Sequence, residues 1–355
     1  MKILVIKFRH IGDVLLSTPL IHNLRIHYPD ARIDVAVNDD TLPMLQNNPD
    51  IDTLLPYPRK NREKGLFNRI AQELRYLKKL QTPGYDLVIN LTEGERGAYI
   101  TLLSGARQTI GFRPTKGWMR LFSPYTLHAD RMKIFEHAVN HDLQIVPLLG
   151  GEIVSRKVSI FWTSEEKERI DRILKEEGID RYVHVHPVSR WMFKCWEDDR
   201  MAEIIDYIQE EKGIPVVITA APDPVERKRV DSILSLCRSR PLDLGGELSL
   251  NELAALSERA ELFFGVDTAP MHMAAAVDTP VVALFGASRP DIWGPWDNTM
   301  EKTEFTYTNG IQHSGRHTVV SHTDHSTFYE NGIKKSRGMR KIITSDVKRV
   351  IDDKI

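Results

Sequence analysis

The sequence of 355 residues is poor in cysteine, in net charge and in long apolar runs. Its two cysteines, Cys195 and Cys237, lie far apart, which excludes a disulfide framework and a cysteine-based zinc site. Lysine and arginine number 48 against 49 aspartates and glutamates, so no overall charge favours nucleic acid as a partner. The longest apolar stretch, residues 271–287, is interrupted by His272 and Asp278 and is too short to span a bilayer. We therefore expect a protein of the reducing cytoplasm without a transmembrane anchor.

What the sequence does contain is an alternation of short apolar strands with helices, which indicates parallel sheets covered on both faces. In the first half the predicted strands are 3–6, 32–37 and 86–90, and the predicted helices are 14–28 and 67–80. In the second half the predicted strands are 182–185, 215–219, 262–265 and 280–285, and the predicted helices are 198–210, 224–237 and 269–276. Phe67, Ile70, Leu74 and Leu77 fall on one face of the helix 67–80.

The predicted fold class is therefore α/β, with two Rossmann-like doubly wound domains facing a central cleft. We predict an N-terminal domain over residues 1–160, a C-terminal domain over 161–340 and a C-terminal helix within 341–355, with residues 146–151 as a linker. Residues 1–150 hold 20 basic and 15 acidic side chains, a net charge of +5, whereas the remainder has 28 and 34, a net charge of −6. The basic first half favours an anionic ligand there.

Asp13 follows the first predicted strand at the turn into a helix, where open α/β sheets bind ligands. A carboxylate there suits a general base towards a ligand hydroxyl. It also suits a residue of the first helical turn that only stabilises the helix. The residues alone leave both roles open, and the dinucleotide-binding G-x-G-x-x-G pattern is absent after this strand.

The segment GVDTAPMHMA from Gly265 predicts a diphosphate site, because a strand ends there and a helix with free N–H groups begins near Ala269. Thr268 and His272 share one helix face, and Asp267 is placed to accept hydrogen bonds from sugar hydroxyls. The alternative is that Asp267 and Thr268 only cap the helix.

The loop after strand 182–185 holds a hydroxyl and two cations that could surround phosphate oxygens, namely Ser189, Arg190 and Lys194. An aromatic cluster with solvated charges is the alternative for this loop. Glu226 follows the strand 215–219, where a carboxylate can hold the two hydroxyls of a ribose. The alternative is that Glu226 is only an acidic residue in the first turn of a helix.

Two basic clusters could bind a phosphorylated acceptor or could be solvated surface. The first contains Arg59, Lys60, Arg62 and Lys64, and the second contains Arg113, Lys116 and Arg120. The segment 299–340 contains four histidines, but it lacks cysteine and shows no clear pattern of strands and helices, so we expect no metal site there.

Three segments, in matching order and spacing, resemble those of the lipopolysaccharide core heptosyltransferases, glycosyltransferase family 9. They are KILVIKFRHIGDVLLSTPLI, HPVSRWMFKCWEDDR and GVDTAPMHMAAAVDTPVVALFG. The resemblance covers the chain from its start to Trp296. It implies the GT-B fold, inversion at the anomeric carbon, ADP-L-glycero-β-D-manno-heptose as the donor, and no metal or other cofactor.

The resemblance also implies roles for residues at matching positions. It makes Asp13 the catalytic base, Lys194 the phosphate-binding lysine and Glu226 the ribose-binding acid. Its donor loop falls on Asp267, Thr268, Ala269 and His272, whereas many members have two small hydroxylated residues where this chain has Ser189 and Arg190. The implied acceptor is a lipid-linked anionic lipopolysaccharide core, reached by a cytoplasmic enzyme that is peripheral at the inner face of the inner membrane.

Two other functions also fit the residues. One is a different NDP-sugar transferase of the same fold, for example one that transfers N-acetylglucosamine. The other is a non-catalytic nucleotide-sugar binding protein in which Asp13 only supports its helix. The nucleotide that binds separates the first of these from a heptosyltransferase, and the presence of any transfer activity separates the second.

Overall fold

The computed structural model describes residues 1–59, 65–81, 83–114, 117, 122–131 and 136–355. Its chain divides into two compact units, Met1–Phe161 and Trp162–Ile355. The predicted linker 146–151 does not lie between them, because Ile145–Leu148 is a helix of the first unit. The segment that follows also packs on the first unit. The side-chain amide of Asn23 donates a hydrogen bond to the carbonyl of Ser155, and the backbone N–H of Ser159 donates to the hydroxyl of Thr18.

Among the described residues of the first unit, six strands form one parallel sheet with the order β3-β2-β1-β4-β5-β6. They are β1 (Lys2–Lys7), β2 (Arg32–Asn38), β3 (Thr53–Tyr57), β4 (Leu87–Asn90), β5 (Gln108–Phe112) and β6 (Leu127–Ala129). The central strands are buried along almost their whole length, as apolar runs such as ILVI and LVI require. The order reverses between β1 and β4, so the carboxyl ends of these two strands mark the switch point of the sheet.

The helices of the first unit are α1 (Ile11–Leu15), α2 (Thr18–His27), α3 (Leu66–Gln81), α4 (Glu95–Leu103), α5 (Ala138–Leu143) and α6 (Ile145–Leu148). A 3₁₀ helix spans Asp39–Met44. The predicted continuous helix 14–28 is wrong, because it is divided into α1 and α2. Pro19 has no N–H to donate to the carbonyl of Leu15, and the hydroxyl of Thr18 donates to that carbonyl instead, at 2.9 Å.

Helix α3 directs an unexpected face towards the sheet. Tyr76 and Leu80 pack in a buried cluster with Leu4 and Ile6 of β1, and the phenol of Tyr76 donates to the carbonyl of Leu55. Of the face predicted from the sequence, Phe67, Ile70 and Leu74 are exposed, and only Leu77 packs against this cluster. An apolar face normally packs against the core, so the exposure of these three side chains is unusual.

In the second unit, the described residues form a seven-stranded sheet with the order β12-β13-β11-β10-β7-β8-β9. Its strands are β7 (Val183–His186), β8 (Val216–Ile218), β9 (Leu242–Asp243), β10 (Leu262–Val266), β11 (Val281–Phe285), β12 (Gly310–Ser314) and β13 (His317–Ser321). Only β12 is antiparallel to its neighbour. When β12 is left aside, the remaining six strands are parallel, and their arrangement in the sheet relative to their order in the chain is the same as in the first sheet. The switch point of the second sheet therefore lies between β7 and β10.

The helices of the second unit are α7 (Ser164–Glu176), α8 (Asp198–Asp206), α9 (Pro224–Leu236), α10 (Leu250–Arg259), α11 (Ala269–Ala276), α12 (Pro290–Trp293), α13 (Arg337–Lys341) and α14 (Thr344–Asp352). A 3₁₀ turn spans Met192–Lys194, and a π-helical turn, Tyr207–Glu211, extends α8. Val347, Val350 and Ile351 of α14 are buried in the same core as the strands β7 and β10.

The segment 299–340 is more regular than the sequence indicated. It contributes β12 and β13 to the large sheet and forms a separate hairpin of β14 (Thr327–Glu330) and β15 (Ile333–Ser336). Asn331 and Gly332 connect the hairpin with φ values of 51° and 77°, which a two-residue turn of this kind requires. The sequence prediction missed β13 because HTVVS is a short strand with polar ends, although all five residues are buried.

Candidate active site

The predicted donor residues lie around the switch point of the second sheet, on loops that leave the carboxyl ends of β7, β8 and β10. Lys194 follows β7 in the 3₁₀ turn, and Asp267 directly follows β10. The two strands approach closely at this edge, since a Cβ atom on Gly265 would lie 2.6 Å from the carbonyl oxygen of His186. Glycine at this position therefore allows the two loops to start side by side.

An ion pair joins the two loops. Nζ of Lys194 lies 2.6 Å from Oδ2 of Asp267, and the carboxylate is buried whereas the lysine side chain keeps about a quarter of its surface exposed. The hydroxyl of Ser288, on the loop after β11, donates to the same carboxylate oxygen. The pair thus holds a lysine ammonium at the sheet edge with one side still open to a ligand.

Helix α11 begins beside this pair. Its N-cap residue, Thr268, makes no side-chain hydrogen bond to the helix, and its hydroxyl donates back to the carbonyl of Val266 at 3.3 Å. The capping role that the sequence left open for Thr268 is therefore not what the structure shows. Ala269 and Pro270 open the helix, and His272 is buried one turn further on. This N-terminus is suited to an anionic group.

The loop that carries Ser189 is held by Cys195. The backbone N–H of Ser189 donates to Sγ of Cys195 at 3.2 Å, and the Ser189 hydroxyl accepts a bond from the N–H of Trp191. Burial raises the pKa of the Cys195 thiol to about 11, so it stays protonated and structural. Arg190 is exposed, and its guanidinium lies 5.4 Å from the centre of the Trp191 ring.

Glu226 is buried in the first turn of α9, but a different residue caps that helix. Asp223 accepts the N–H groups of Val225 and Glu226, and the carboxylate of Glu226 accepts the N–H of Ala221 at 3.4 Å. Burial, aided by the negative charge of Asp223, raises the pKa of Glu226, while the positive charge of Arg190 opposes the rise. Glu226 therefore occupies the first-turn position of its alternative interpretation, and the cap itself is Asp223.

Sequence reasoning missed a buried histidine relay beneath this edge. The hydroxyl of Thr219 lies 2.7 Å from Nε2 of His184 and 2.9 Å from Nδ1 of His186. Nδ1 of His184 lies 2.9 Å from the hydroxyl of Ser257, which itself donates to the carbonyl of Leu253. Histidines at alternate positions of β7 were the available signal, but their shared partner Thr219, directly after β8, was not visible in the sequence.

The protonation of the relay follows from these bonds. Ser257 has already donated its hydrogen, so His184 must donate from Nδ1 and accept the Thr219 hydroxyl at Nε2. Thr219 then accepts from Nδ1 of His186, which leaves the lone pair of His186 on Nε2. Burial lowers the pKa of His184 well below its ordinary value and that of His186 to about 4, so both rings are neutral.

In the first unit, Asp13 lies where the sequence placed it, after β1 in the first turn of α1. Its Oδ2 accepts the N–H of His10 at 3.3 Å, and Nε of Arg9 lies 3.5 Å from Oδ1. The first of these contacts is the helix-stabilising role foreseen as an alternative. The hydrogen bond from His10 uses only one carboxylate oxygen of Asp13, and the side chain is still 14% exposed.

A buried ion pair at the end of β1 was also not foreseen. Nζ of Lys7 lies 2.6 Å from Oδ2 of Asp142 in α5, and the Lys7 ammonium helps to lower the pKa of that buried carboxyl. His141 contributes to the same effect and stacks on Phe112, with the two rings 4.2 Å apart. Lys7 and Asp142 are 135 residues apart in the chain, so no spacing rule could have joined them.

The structure tests the predicted acceptor residues only in part. Lys60, Arg62, Lys64 and Arg120, together with Lys116, lie outside the described residues. Arg59 is exposed and has Asp40 at 3.8 Å, and Arg113 is exposed after β5. The strands that precede Arg59 and Arg113 are separated by β2, β1 and β4, so the described sheet does not bring these two arginines together.

Within the described ranges, no three histidine, cysteine, aspartate or glutamate side chains are grouped so that they could hold a metal ion. Within the same ranges, none of the helices combines the length and apolarity needed to cross a membrane. Among the tail histidines, His317 is buried near Asp297, and burial lowers its pKa to about 4.

Comparisons with known proteins agree with this architecture. Residues 73–316 match glycosyltransferase family 9 (heptosyltransferase). Lipopolysaccharide heptosyltransferase 3 of Escherichia coli K12 is 37% identical over 295 residues, which cover 81% of this chain and 83% of the relative. The lipopolysaccharide core heptosyltransferase OpsX of Haemophilus influenzae is 23% identical, with 83% and 81% covered.

Solved structures of such proteins share the fold. A family 9 glycosyl transferase from Veillonella parvula superimposes with a TM-score of 0.80 at 23% identity, covering 99% of this chain and 96% of that one. The E. coli ADP-heptose lps heptosyltransferase II gives a TM-score of 0.73 at 20% identity, with 99% and 98% covered. These neighbours confirm the predicted GT-B class of fold, and the sequence matches establish that the chain belongs to glycosyltransferase family 9.

Proposed function

We propose that this protein is an inverting, metal-independent heptosyltransferase, which transfers L-glycero-D-manno-heptose from ADP-heptose to an inner-core heptose of lipopolysaccharide. Family membership and the 37% identity to lipopolysaccharide heptosyltransferase 3 support this reaction. The single observation that carries the donor site is the Lys194–Asp267 pair beside the start of α11. A lysine and a helix N-terminus together are a suitable environment for a diphosphate.

In this proposal ADP-heptose binds at the carboxyl edge of the second sheet. Lys194 and the first N–H groups of α11, from Ala269 onward, bind the diphosphate, and Ser189 and Arg190 contribute further phosphate contacts. Glu226 accepts hydrogen bonds from the ribose hydroxyls. The remaining donor residues are Asp267, Thr268 and His272. Asp267 positions the lysine and accepts hydrogen bonds from the hydroxyls of the donor sugar.

The transfer is a single displacement. The carboxylate of Asp13 removes the proton from the acceptor hydroxyl, and the hydroxyl oxygen forms a bond to the anomeric carbon of the donor. The bond from that carbon to the diphosphate oxygen breaks, and ADP leaves with the electron pair, so the configuration inverts. Lys194 and α11 stabilise the charge that develops on the departing diphosphate, in place of a divalent cation.

The acceptor in this proposal is the anionic, lipid-linked core of lipopolysaccharide. Basic residues of the first half bind its phosphates, with Arg59 and Arg113 among the described residues and Lys60, Arg62, Lys64 and Arg120 outside them. The enzyme works in the cytoplasm and meets this substrate at the inner face of the inner membrane. The positive excess of residues 1–150 supports the assignment of the acceptor to the first half.

The direct test supplies the purified protein with ADP-heptose and an inner-core lipopolysaccharide that ends in heptose. Mass spectrometry of the product should show the addition of one heptose residue with release of ADP. Transfer from UDP-N-acetylglucosamine in place of ADP-heptose would assign the protein to a different sugar. Binding of ADP-heptose without any transfer, on acceptors of several core lengths, would make it a binding protein instead.

A further inference from the structure

Helix α3 carries an apolar stripe that the protein leaves in contact with solvent. Phe67 is 86% exposed, Leu74 is 61% exposed and Ile70 is 48% exposed. Their spacing of three and four residues places them on one face of the helix. A phenylalanine and two aliphatic side chains grouped in this way differ from the scattered single exposed residues that every protein surface carries.

The stripe cannot be part of the core of its own unit. The opposite side of α3 already packs on the sheet through Tyr76 and Leu80, while Gln72 is buried one turn before Tyr76. Residues 67, 70 and 74 point away from that side, because the two sets lie about half a helical turn apart. The stripe therefore faces outward by construction.

The neighbouring helix also carries exposed apolar side chains. Tyr99, Leu102 and Leu103 of α4 are each roughly half exposed. The two helices lie side by side, since Ile100 of α4 shares the buried cluster of Tyr76. We call the exposed residues of α3 and α4 together the apolar patch; they are Phe67, Ile70, Leu74, Tyr99, Leu102 and Leu103.

The helix that carries the stripe is rich in positive charge. Residues 66–81 contain four basic side chains and one acidic side chain, although the whole chain has a net charge of −1. The basic residues, Arg69, Arg75, Lys78 and Lys79, are all exposed. The acidic residue, Glu73, is engaged by the guanidinium of Arg96 at 3.2 Å and by the phenol of Tyr57. Helix α3 therefore combines exposed apolar groups with an excess of exposed positive charge.

We propose that the apolar patch docks the protein on an anionic phospholipid bilayer, with α3 lying in the plane of the interface. Such a surface offers both an apolar layer for Phe67, Ile70 and Leu74 and negative headgroups for the exposed lysines and arginines of the same helix. The charge complementarity favours a bilayer over a second copy of this chain, whose own α3 would bring like charges together. The proposal rests on the proposed function only in that a lipid-linked acceptor gives the docking its purpose.

The test measures co-sedimentation of the full-length protein with vesicles of phosphatidylcholine and phosphatidylglycerol, and with vesicles of phosphatidylcholine alone. The wild type should bind the mixed vesicles, and its binding should weaken with salt. The triple variant Phe67→Ser, Ile70→Ser, Leu74→Ser should lose at least about tenfold in vesicle affinity, because it removes the apolar contribution. The double variant Lys78→Ser, Lys79→Ser should reduce the preference for anionic over neutral vesicles.

A matched control replaces three exposed apolar residues elsewhere, Leu148→Ser, Val154→Ser and Leu236→Ser, and should bind vesicles as the wild type does. Unchanged vesicle affinity in the α3 triple variant would overturn the proposal. So would a wild-type dimer that this variant converts to monomers while vesicle binding is absent from both proteins. Equal melting temperatures show that the variants remain folded.

The enzymatic arm separates this proposal from the proposed function. On a delipidated core oligosaccharide the α3 triple variant should transfer heptose at the wild-type rate, and on acceptor embedded in vesicles it should be slower. If the wild type transfers no heptose to either acceptor, the proposed function fails, and the vesicle measurements still decide the docking proposal. If both proteins are equally fast on both acceptors, the patch has no part in docking.

Discussion

The ammonium of Lys194 lies 2.6 Å from Oδ2 of Asp267 and so joins the loop after β7 to the loop after β10 across the switch point of the second sheet. The hydroxyl of Ser288 donates to the same oxygen, which adds the loop after β11. Three loops from successive positions of the sheet thus depend on one carboxylate. The lysine is held in place before any ligand arrives, which reduces the entropy that a ligand must overcome.

Lys194→Ala should weaken ADP binding about 10- to 100-fold, equivalent to roughly 1.5–3 kcal/mol for a hydrogen bond to a charged group. Asp267→Asn should weaken it as well, because the lysine loses its charged anchor. The measurement is titration calorimetry with ADP. Lys212→Ala is the matched control, since Lys212 also pairs with an aspartate and has the same 23% side-chain exposure. ADP affinity that is unchanged in Lys194→Ala would remove this lysine from the donor site.

Asp13→Asn should lower kcat by about 10²- to 10⁴-fold, the usual contribution of a general base. Asparagine can still accept the N–H of His10, so the substitution preserves the helix contact and removes the base. ADP affinity should not change, because the proposed donor residues all belong to the second unit. Asp50→Asn is the control, as Asp50 pairs with His22 and is buried to a similar extent. Full turnover in Asp13→Asn would leave this residue with a purely structural role.

Activity should survive an excess of EDTA. In the proposed mechanism the charge on the departing diphosphate is stabilised by Lys194 and the N-terminus of α11, so a divalent cation is not required. The measurement compares initial rates with and without chelator after overnight dialysis, with added Mg²⁺ or Mn²⁺ as the control. Loss of activity that Mn²⁺ restores would contradict this prediction.

The free energy of unfolding should decrease on acidification, over the pH range in which the buried histidines stay neutral in the folded protein. The folded protein holds the pKa of His186 at about 4, below the ordinary value of 6.5 that it regains on unfolding. The unfolded state therefore binds the proton first. The free energy of unfolding is unaffected by this histidine above pH 6.5 and decreases progressively as the pH falls towards 4. At about 1.4 kcal/mol per pH unit this amounts to roughly 3 kcal/mol.

Urea denaturation at pH 7, 6 and 5 measures this loss. His186→Asn keeps a donor towards Thr219 but does not titrate, so its free energy of unfolding should depend less steeply on pH than that of the wild type. Parallel pH dependence in the two proteins would show that His186 does not resist protonation. His128→Asn provides the comparison, because the pair of His128 with Ser123 is exposed.

The meeting of the loops in the proposed donor site could be predicted because parallel strands deliver their loops to one edge. Lys194 and Asp267 are 73 residues apart, yet each follows a buried apolar strand, so their meeting is a consequence of the sheet. The relay was not predictable in this way. It needs the register of β7 against β8, which places Thr219 beside His186, and no periodicity in the sequence records that register.

The orientation of α3 shows a second limit. The sequence offers two stripes, one through Phe67 and Leu74 and the other through Tyr76 and Leu80, and hydrophobicity alone favours the first. The structure buries the second, because the phenol of Tyr76 finds a backbone carbonyl while its ring fills the space against β1. Tertiary fit, which a helical pattern cannot express, decided between them.

Because the two sheets share one strand order, the recognition properties of each half can change independently. Each half carries its proposed site residues beyond the strand ends, in loops and first helical turns, while the strands themselves are packed by buried aliphatic side chains. A change in a loop at one switch point can therefore alter what that half recognises without repacking either interior. Under the proposed function, donor preference and acceptor preference are separate modules, and a new specificity can be assembled by exchanging the loops of one half while the other is left as it is.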